Sequence, residues 1–247
     1  MIFRNLLNNP VPTLISIFVL LFSLSFHEYS HGWVAYKLGD NTAKDAGRLT
    51  LNPLVHLDPI GTLMMLTGLI GWAKPVPINP LRFERKYTMK KGMLLTALAG
   101  PVSNLILSSI AFFLLNLYKV ILVWTGVFYF HAESGIIFDP QQVLASFGPI
   151  TLIYLFLHGF AYLNIYLAIF NMLPVPPLDG FKIFGAALPN RLYYRIMRYE
   201  RYIGIIFIVV AFAFPSVLSK VLNTLATPFE FIFDRPWKEL ALWILSR

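Results

Sequence analysis

Residues 11–26 contain no charged side chain, and the run stays apolar from Gly32 through Tyr36 before Lys37 ends it. A helix needs roughly 20 residues to cross a hydrocarbon core of about 30 Å. Three more stretches of sufficient length follow at about 92–123, 149–172 and 202–221. The chain is 57% hydrophobic and 13% charged, whereas a soluble domain carries about a quarter charged residues. The expected fold class is therefore an all-α polytopic membrane protein with about four transmembrane helices. Its 247 residues suit one membrane-embedded domain over 1–247, with a core at about 11–188 and a C-terminal part at about 201–247.

Two apolar segments are expected not to span. Residues 60–72 are too short to cross and suit a re-entrant or interfacial piece. They run into Ala73-Lys74-Pro75-Val76-Pro77-Ile78-Asn79-Pro80, where closely spaced prolines force extended backbone. At membrane depth such backbone must pack on protein or pair as a hairpin. Residues 228–245 mix Phe231, Trp237 and Trp243 with Glu230, Asp234, Arg235 and Lys238. That mixture predicts an amphipathic helix on the membrane surface, broken at Pro236. The first apolar run lacks a small-residue cleavage site and reads as a retained helix, not a signal peptide.

The net charge of +8 would suggest nucleic acid in a soluble protein, but its distribution points to membrane orientation and to no nucleic-acid partner. The loop after the first span holds Lys44, Arg48, Lys74, Arg82, Arg85, Lys86, Lys90 and Lys91 against Asp40, Asp45, Asp58 and Glu84. The loop after the third holds Lys182, Arg191, Arg195, Arg198 and Arg201 against Asp179 and Glu200. Residues 125–142 contain Glu133 and Asp139 and no lysine or arginine. The positive-inside rule places the two basic loops in the cytoplasm of a bacterial-type cell membrane.

Inside the first span stands His27-Glu28-Tyr29-Ser30-His31. On a helix, positions i and i+4 share a face, so both imidazoles can reach one tetrahedral Zn²⁺, with Glu28 beside them to take a proton from water. Ionisable side chains in lipid are costly and must be paired or coordinated. His27 falls about 24 Å along the helix from Val11, nearer the cytoplasmic end. With no cysteine in the chain, disulfides and thiolate ligands are excluded, and the metal must be held by His, Asp or Glu. The pattern predicts a zinc peptidase site within the bilayer.

A catalytic zinc has three protein ligands. Asp179 is the best-placed third, because Pro174, Pro176 and Pro177 break the third span just before it. Equally, Asp179 caps a short helix running through Ala187. His56, His131 and His158 are the competing ligands, although a lone histidine in a loop or helix flank is more often packed or solvated. Asn171 is read either as a donor to substrate or as an interhelical hydrogen bond. Asn104 is read as structural, since Gly100 and Ser103 beside it form a small-residue face for helix packing.

Taken together, the His27–His31 motif and the run Asn171-Met172-Leu173-Pro174-Val175-Pro176-Pro177-Leu178-Asp179-Gly180 resemble the site-2 protease family of intramembrane zinc metalloproteases. Gly71-Trp72-Ala73-Lys74-Pro75-Val76-Pro77 and Ala99-Gly100-Pro101-Val102-Ser103-Asn104 are similar to further segments of that family. The resemblance implies that Asp179 is the third zinc ligand, that Glu28 is the catalytic acid/base, and that one Zn²⁺ is bound per chain. It implies substrates that are transmembrane helices of other membrane proteins, cut within or near the bilayer. The PDZ and CBS domains of many family members find no room in this chain. Three other classes are a metal transporter, which would show repeated halves and a path of ligands, a non-catalytic scaffold, which has no use for Glu28, and a structural zinc site, which would have no open fourth position.

Overall fold

The computed structural model describes residues 9–59, 61, 73–125, 130–131, 135–136 and 148–245. Three long helices form its frame: α1 (Pro10–Lys37), α4 (Met89–Trp124) and α5 (Pro149–Asn171). Each is long and apolar enough to cross a membrane. Pro10 opens α1 at the position where a missing N–H does no harm. The helix stops at Leu38 because Gly39 follows with φ 104°, a left-handed turn that glycine tolerates best. Thr88 caps α4 through a hydrogen bond from Lys91 N (3.2 Å). These spans begin and end within about three residues of the sequence-based bounds.

Between α1 and α4 lie the short helices α2 (Thr42–Asp45) and α3 (Pro53–His56), an extended segment, and a 3-10 turn at Pro80–Arg82. Ala73 pairs antiparallel with Leu57, and Lys74 N donates to His56 O at 2.8 Å. The extended segment is thus paired with protein, as its prolines required. The expected re-entrant piece at 60–72 falls, apart from Gly61, outside the described residues. Beyond α4, strands β1 (Phe130–His131) and β2 (Gly135–Ile136) form a minimal antiparallel pair.

The core lies where α1, α4 and α5 meet. Phe112 and Ile165 are fully enclosed beside Val19, Ala111 and Ala161. Small residues at these crossings let helix backbones approach, and Ser108 Oγ donates to Ala161 O (2.7 Å) across the α4–α5 contact.

After α5 come α6 (Asp179–Phe184), a 3-10 turn at Gly185–Ala187, and α7 (Asn190–Arg198). The expected fourth span, 202–221, is not one helix. It divides into α8 (Glu200–Ala213) and the start of α9 (Pro215–Leu245), bent by 98°. Pro215 excludes the helical conformation at Phe214, which sits at φ −129°, ψ 59°. The expected break at Pro236 is absent, and α9 continues through Pro228 and Pro236. Packing explains this. Asn116 Nδ2 donates to Asp234 Oδ1 (2.8 Å), the Phe113 and Trp237 rings meet at 4.7 Å, and Tyr166 donates to Asn223 Oδ1 (2.9 Å). Neighbouring helices hold the backbone in line where a free helix would kink.

Candidate metal centre

His27 and His31 lie one turn apart on α1, both nearly enclosed at 4% and 6% exposure. Asp179 opens α6 and turns its carboxylate onto them. The three ligand atoms form a tight triangle. His27 Nε2 and His31 Nε2 are 3.0 Å apart, and Asp179 Oδ2 is 3.2 Å from the first and 3.0 Å from the second. A tetrahedral zinc with bonds of about 2.0–2.1 Å spaces its ligands about 3.3 Å apart. The triangle fits that size.

The protonation pattern makes the same point. His27 Nδ1 faces Asn104 Oδ1 at 2.6 Å, and His31 Nδ1 faces Thr96 O at 2.7 Å. Both partners are acceptors, so in the neutral rings each Nδ1 carries the hydrogen and each Nε2 is bare. Two bare nitrogens and a carboxylate oxygen therefore converge with no donor among them, an arrangement that a cation satisfies. Asp179 is suited to the anionic form. Burial opposes its ionisation; when the His31 ring is protonated, its charge and the imidazole N–H contacts outweigh burial and hold the carboxyl well below the usual carboxylate range. Lys182 Nζ, 3.5 Å from Asp179 Oδ1, adds to the effect. Asp179 is not a side-chain cap: α6 has Leu178 at its N-cap and no capping side chain. Gly180 follows because a Cβ there would collide with the carbonyls of Met172 and Leu173.

Glu28 borders the triad and accepts a hydrogen bond from Val76 N at 2.9 Å. A cavity of about 130 Å³, roomy enough for water, opens beside it, lined also by Ile78, Asn171 and Lys182.

The sequence model for peptidase family M50 matches residues 15–214. The chain belongs to peptidase family M50. A Bacillus subtilis protein named "Putative zinc metalloprotease YwhC" is 40% identical over 194 residues, covering 78% of this chain and 78% of that relative. Two further relatives bear the same description. Rip2 of Mycolicibacterium smegmatis is 28% identical, covering 71% of this chain and 59% of its own length. MJ0611 of Methanocaldococcus jannaschii is 27% identical, covering 69% of each. No solved structure matches. Family membership and the long apolar helices make this an integral membrane protein.

Within this M50 chain, the structure changes the reading of two α4 residues. Asn104, read from sequence as a packing residue, is fully buried and holds His27. Its orientation is fixed by a relay: Asn104 Nδ2 donates to Asn164 Oδ1 (2.7 Å), and Asn164 Nδ2 donates to Ser23 Oγ (2.9 Å) and Phe160 O (2.8 Å). Such partners orient ligating imidazoles. The available signal was the need of every buried amide for partners in lipid. Gly100 does more than ease helix packing: a Cβ there would lie 2.5 Å from His27 Cε1 and from His31 Nε2.

The remaining candidates fall as follows. Asn171 reaches the cavity wall but donates Nδ2 to Leu167 O (2.9 Å) within its own helix. His56 bonds to Thr50 O (2.8 Å), and His158 stands between the Tyr154 and Tyr162 rings. Among the described residues, His27, His31 and Asp179 are the one group of metal-binding side chains that converges. The side chain of His131 lies outside the description.

Proposed function

We propose that this chain is an intramembrane zinc endopeptidase that cuts the transmembrane segments of membrane proteins, in regulated proteolysis or in clearing membrane remnants. The observation that carries this reading is the triangle of three acceptor atoms with a carboxylate, Glu28, at its edge, two corners of the triangle and Glu28 standing on the membrane helix α1. His27 Nε2, His31 Nε2 and the Asp179 carboxylate would hold one zinc per chain. Bound there, zinc supplies Lewis acidity, which lowers the pKa of water and polarises a carbonyl.

The chain's own groups carry the proton. Glu28 accepts it from the water that attacks the scissile carbonyl carbon, and returns it to the amine as the C–N bond breaks. Asn171 keeps Oδ1 and one N–H free of its own helix and serves as a clamp on the substrate backbone. A peptide bond in a helix is shielded by its neighbours, so the substrate unwinds locally. The extended residues 75–79 beside Glu28 offer an edge for it to pair with. The basic loops orient the site toward the cytoplasmic face. The alternatives, a metal transporter or a scaffold, leave Glu28 without a task.

Purified protein incubated with a panel of single-span membrane peptides tests this reading. Cleavage within or next to the spans, located by mass spectrometry and abolished by phenanthroline, supports it. No cleavage of any peptide by zinc-replete protein counts against it.

A further inference from the structure

Two buried ionic side chains outside the metal triad converge on one short strand. Asp40 is 0% exposed and Arg48 7%. Among the described residues neither has an ion-pair partner. Arg48 Nη2 donates to Lys74 O at 2.6 Å, with Pro75 O at 3.5 Å. Asp40 Oδ2 accepts from Asn79 N at 2.6 Å, while its Oδ1 is held by the amide and hydroxyl of Thr42. A buried charge with no counter-ion is costly. Both side chains are instead used on the backbone of residues 74–79.

Between these two ends the strand has a single donor facing the site. Pro75 and Pro77 have no N–H, so Val76 is the one residue between Lys74 and Ile78 that can donate, and its N–H goes to Glu28 Oε2. The strand also sits close against α1. Gly32, one turn beyond Glu28, faces Val76, and a Cβ there would lie 3.2 Å from Val76 Cγ1 and 3.3 Å from Leu49 Cδ1. Placement of the strand thus decides where the Glu28 carboxylate points.

We infer that Asp40 and Arg48 are positioning residues for Glu28: they clamp residues 74–79 at both ends, so that the Val76 amide fixes the Glu28 carboxylate beside the metal triad. The inference rests on the peptidase reading for the role of Glu28, while the clamp itself stands on contacts between protein groups. A single guanidinium nitrogen, Nη2, makes both carbonyl contacts, so a cation that reaches the same place can serve the clamp.

Hydrogen exchange of the reconstituted full chain, with and without zinc, tests the clamp apart from activity. Residues 74–79 carry four amides, at Lys74, Val76, Ile78 and Asn79, and exchange read residue by residue separates Val76 from the other three. In Arg48→Gln and Asp40→Ala, Val76 exchange should rise about tenfold or more as local opening becomes easier. With zinc, kcat on a cleavable membrane peptide should fall about 10- to 100-fold, as expected when a catalytic group loses its alignment. KM should stay within about threefold, and zinc per chain should not change. Arg48→Lys should restore most of the loss. Val76→Pro, which removes the N–H and leaves both clamps, should lower kcat alike with Asn79 still protected, and it serves if a clamp variant fails to fold. Unchanged Val76 exchange in both clamp variants, unchanged kcat in Val76→Pro, or zinc lost in step with activity would overturn the inference. Freed Val76 exchange in a protein whose wild type cuts nothing would uphold the clamp and sink the peptidase reading.

Discussion

Replacing Asn104 by leucine removes a side chain of similar size from the centre of the α1–α4–α5 core. His27 Nδ1–H loses its acceptor at 2.6 Å and Asn164 Oδ1 loses its donor at 2.7 Å. Two orphaned buried groups would cost about 1–3 kcal/mol each in a soluble core. Between membrane helices such bonds average about 0.6 kcal/mol, with a ceiling near 1.7, because the unfolded chain in lipid also finds partners. The smaller figure governs here, giving a stability loss of about 1–2 kcal/mol for the pair. The effect on zinc should be comparable or larger: losing the partner that orients a ligating imidazole weakens metal binding about 10- to 100-fold, or about 1.4–2.7 kcal/mol. Asn104→Asp separates the two effects. It keeps an acceptor facing His27 but sets an oxygen against Asn164 Oδ1, so it should lose stability and retain zinc. Competition with a chelator of known affinity measures the zinc term, and a thermal melt in the same detergent measures the other. Leucine binding zinc as tightly as wild type, or aspartate losing as much zinc as leucine, refutes the role given to Asn104.

Gly100→Ala should favour the α4 helix by about 1 kcal/mol on propensity alone. The added Cβ instead meets both imidazoles, so bound zinc should fall well below one per chain by elemental analysis. Single cysteines introduced into this cysteine-free chain should report sidedness: position 86 protected from an impermeant thiol reagent in intact cells, and position 125, at the far end of the 36-residue α4, labelled. Labelling of position 86 from outside would place the metal site nearer the outer face.

Much of the site was legible because helical spacing does most of the work. His27 and His31 at i and i+4 share a face wherever a helix forms, and apolar length marks α1, α4 and α5. Asp179 was less determined from its neighbours, since a carboxylate after a proline break serves a helix end as readily as a metal. The fold brings Asp179 to the α1 imidazoles, and that is a tertiary fact. Asn104 and Gly100 were only partly legible for a related reason: a small or amide residue in a membrane helix serves packing in most settings, and the imidazole that Asn104 faces is 77 positions away. The prolines show the limit most sharply. Pro215 ends a helix whereas Pro228 and Pro236 do not, because α4 and α5 support the backbone around the latter two.

Glutamine in place of Glu28 gives the most direct test of the central claim. It keeps the shape of the side chain, and its carbonyl can still accept the Val76 N–H, but it cannot take a proton from water. On a peptide that wild-type protein cuts, Glu28→Gln should hold about one zinc per chain while cleavage falls by about 10²- to 10⁴-fold, the range for losing a general base. Cleavage within a few-fold of wild type at full zinc occupancy would contradict the account.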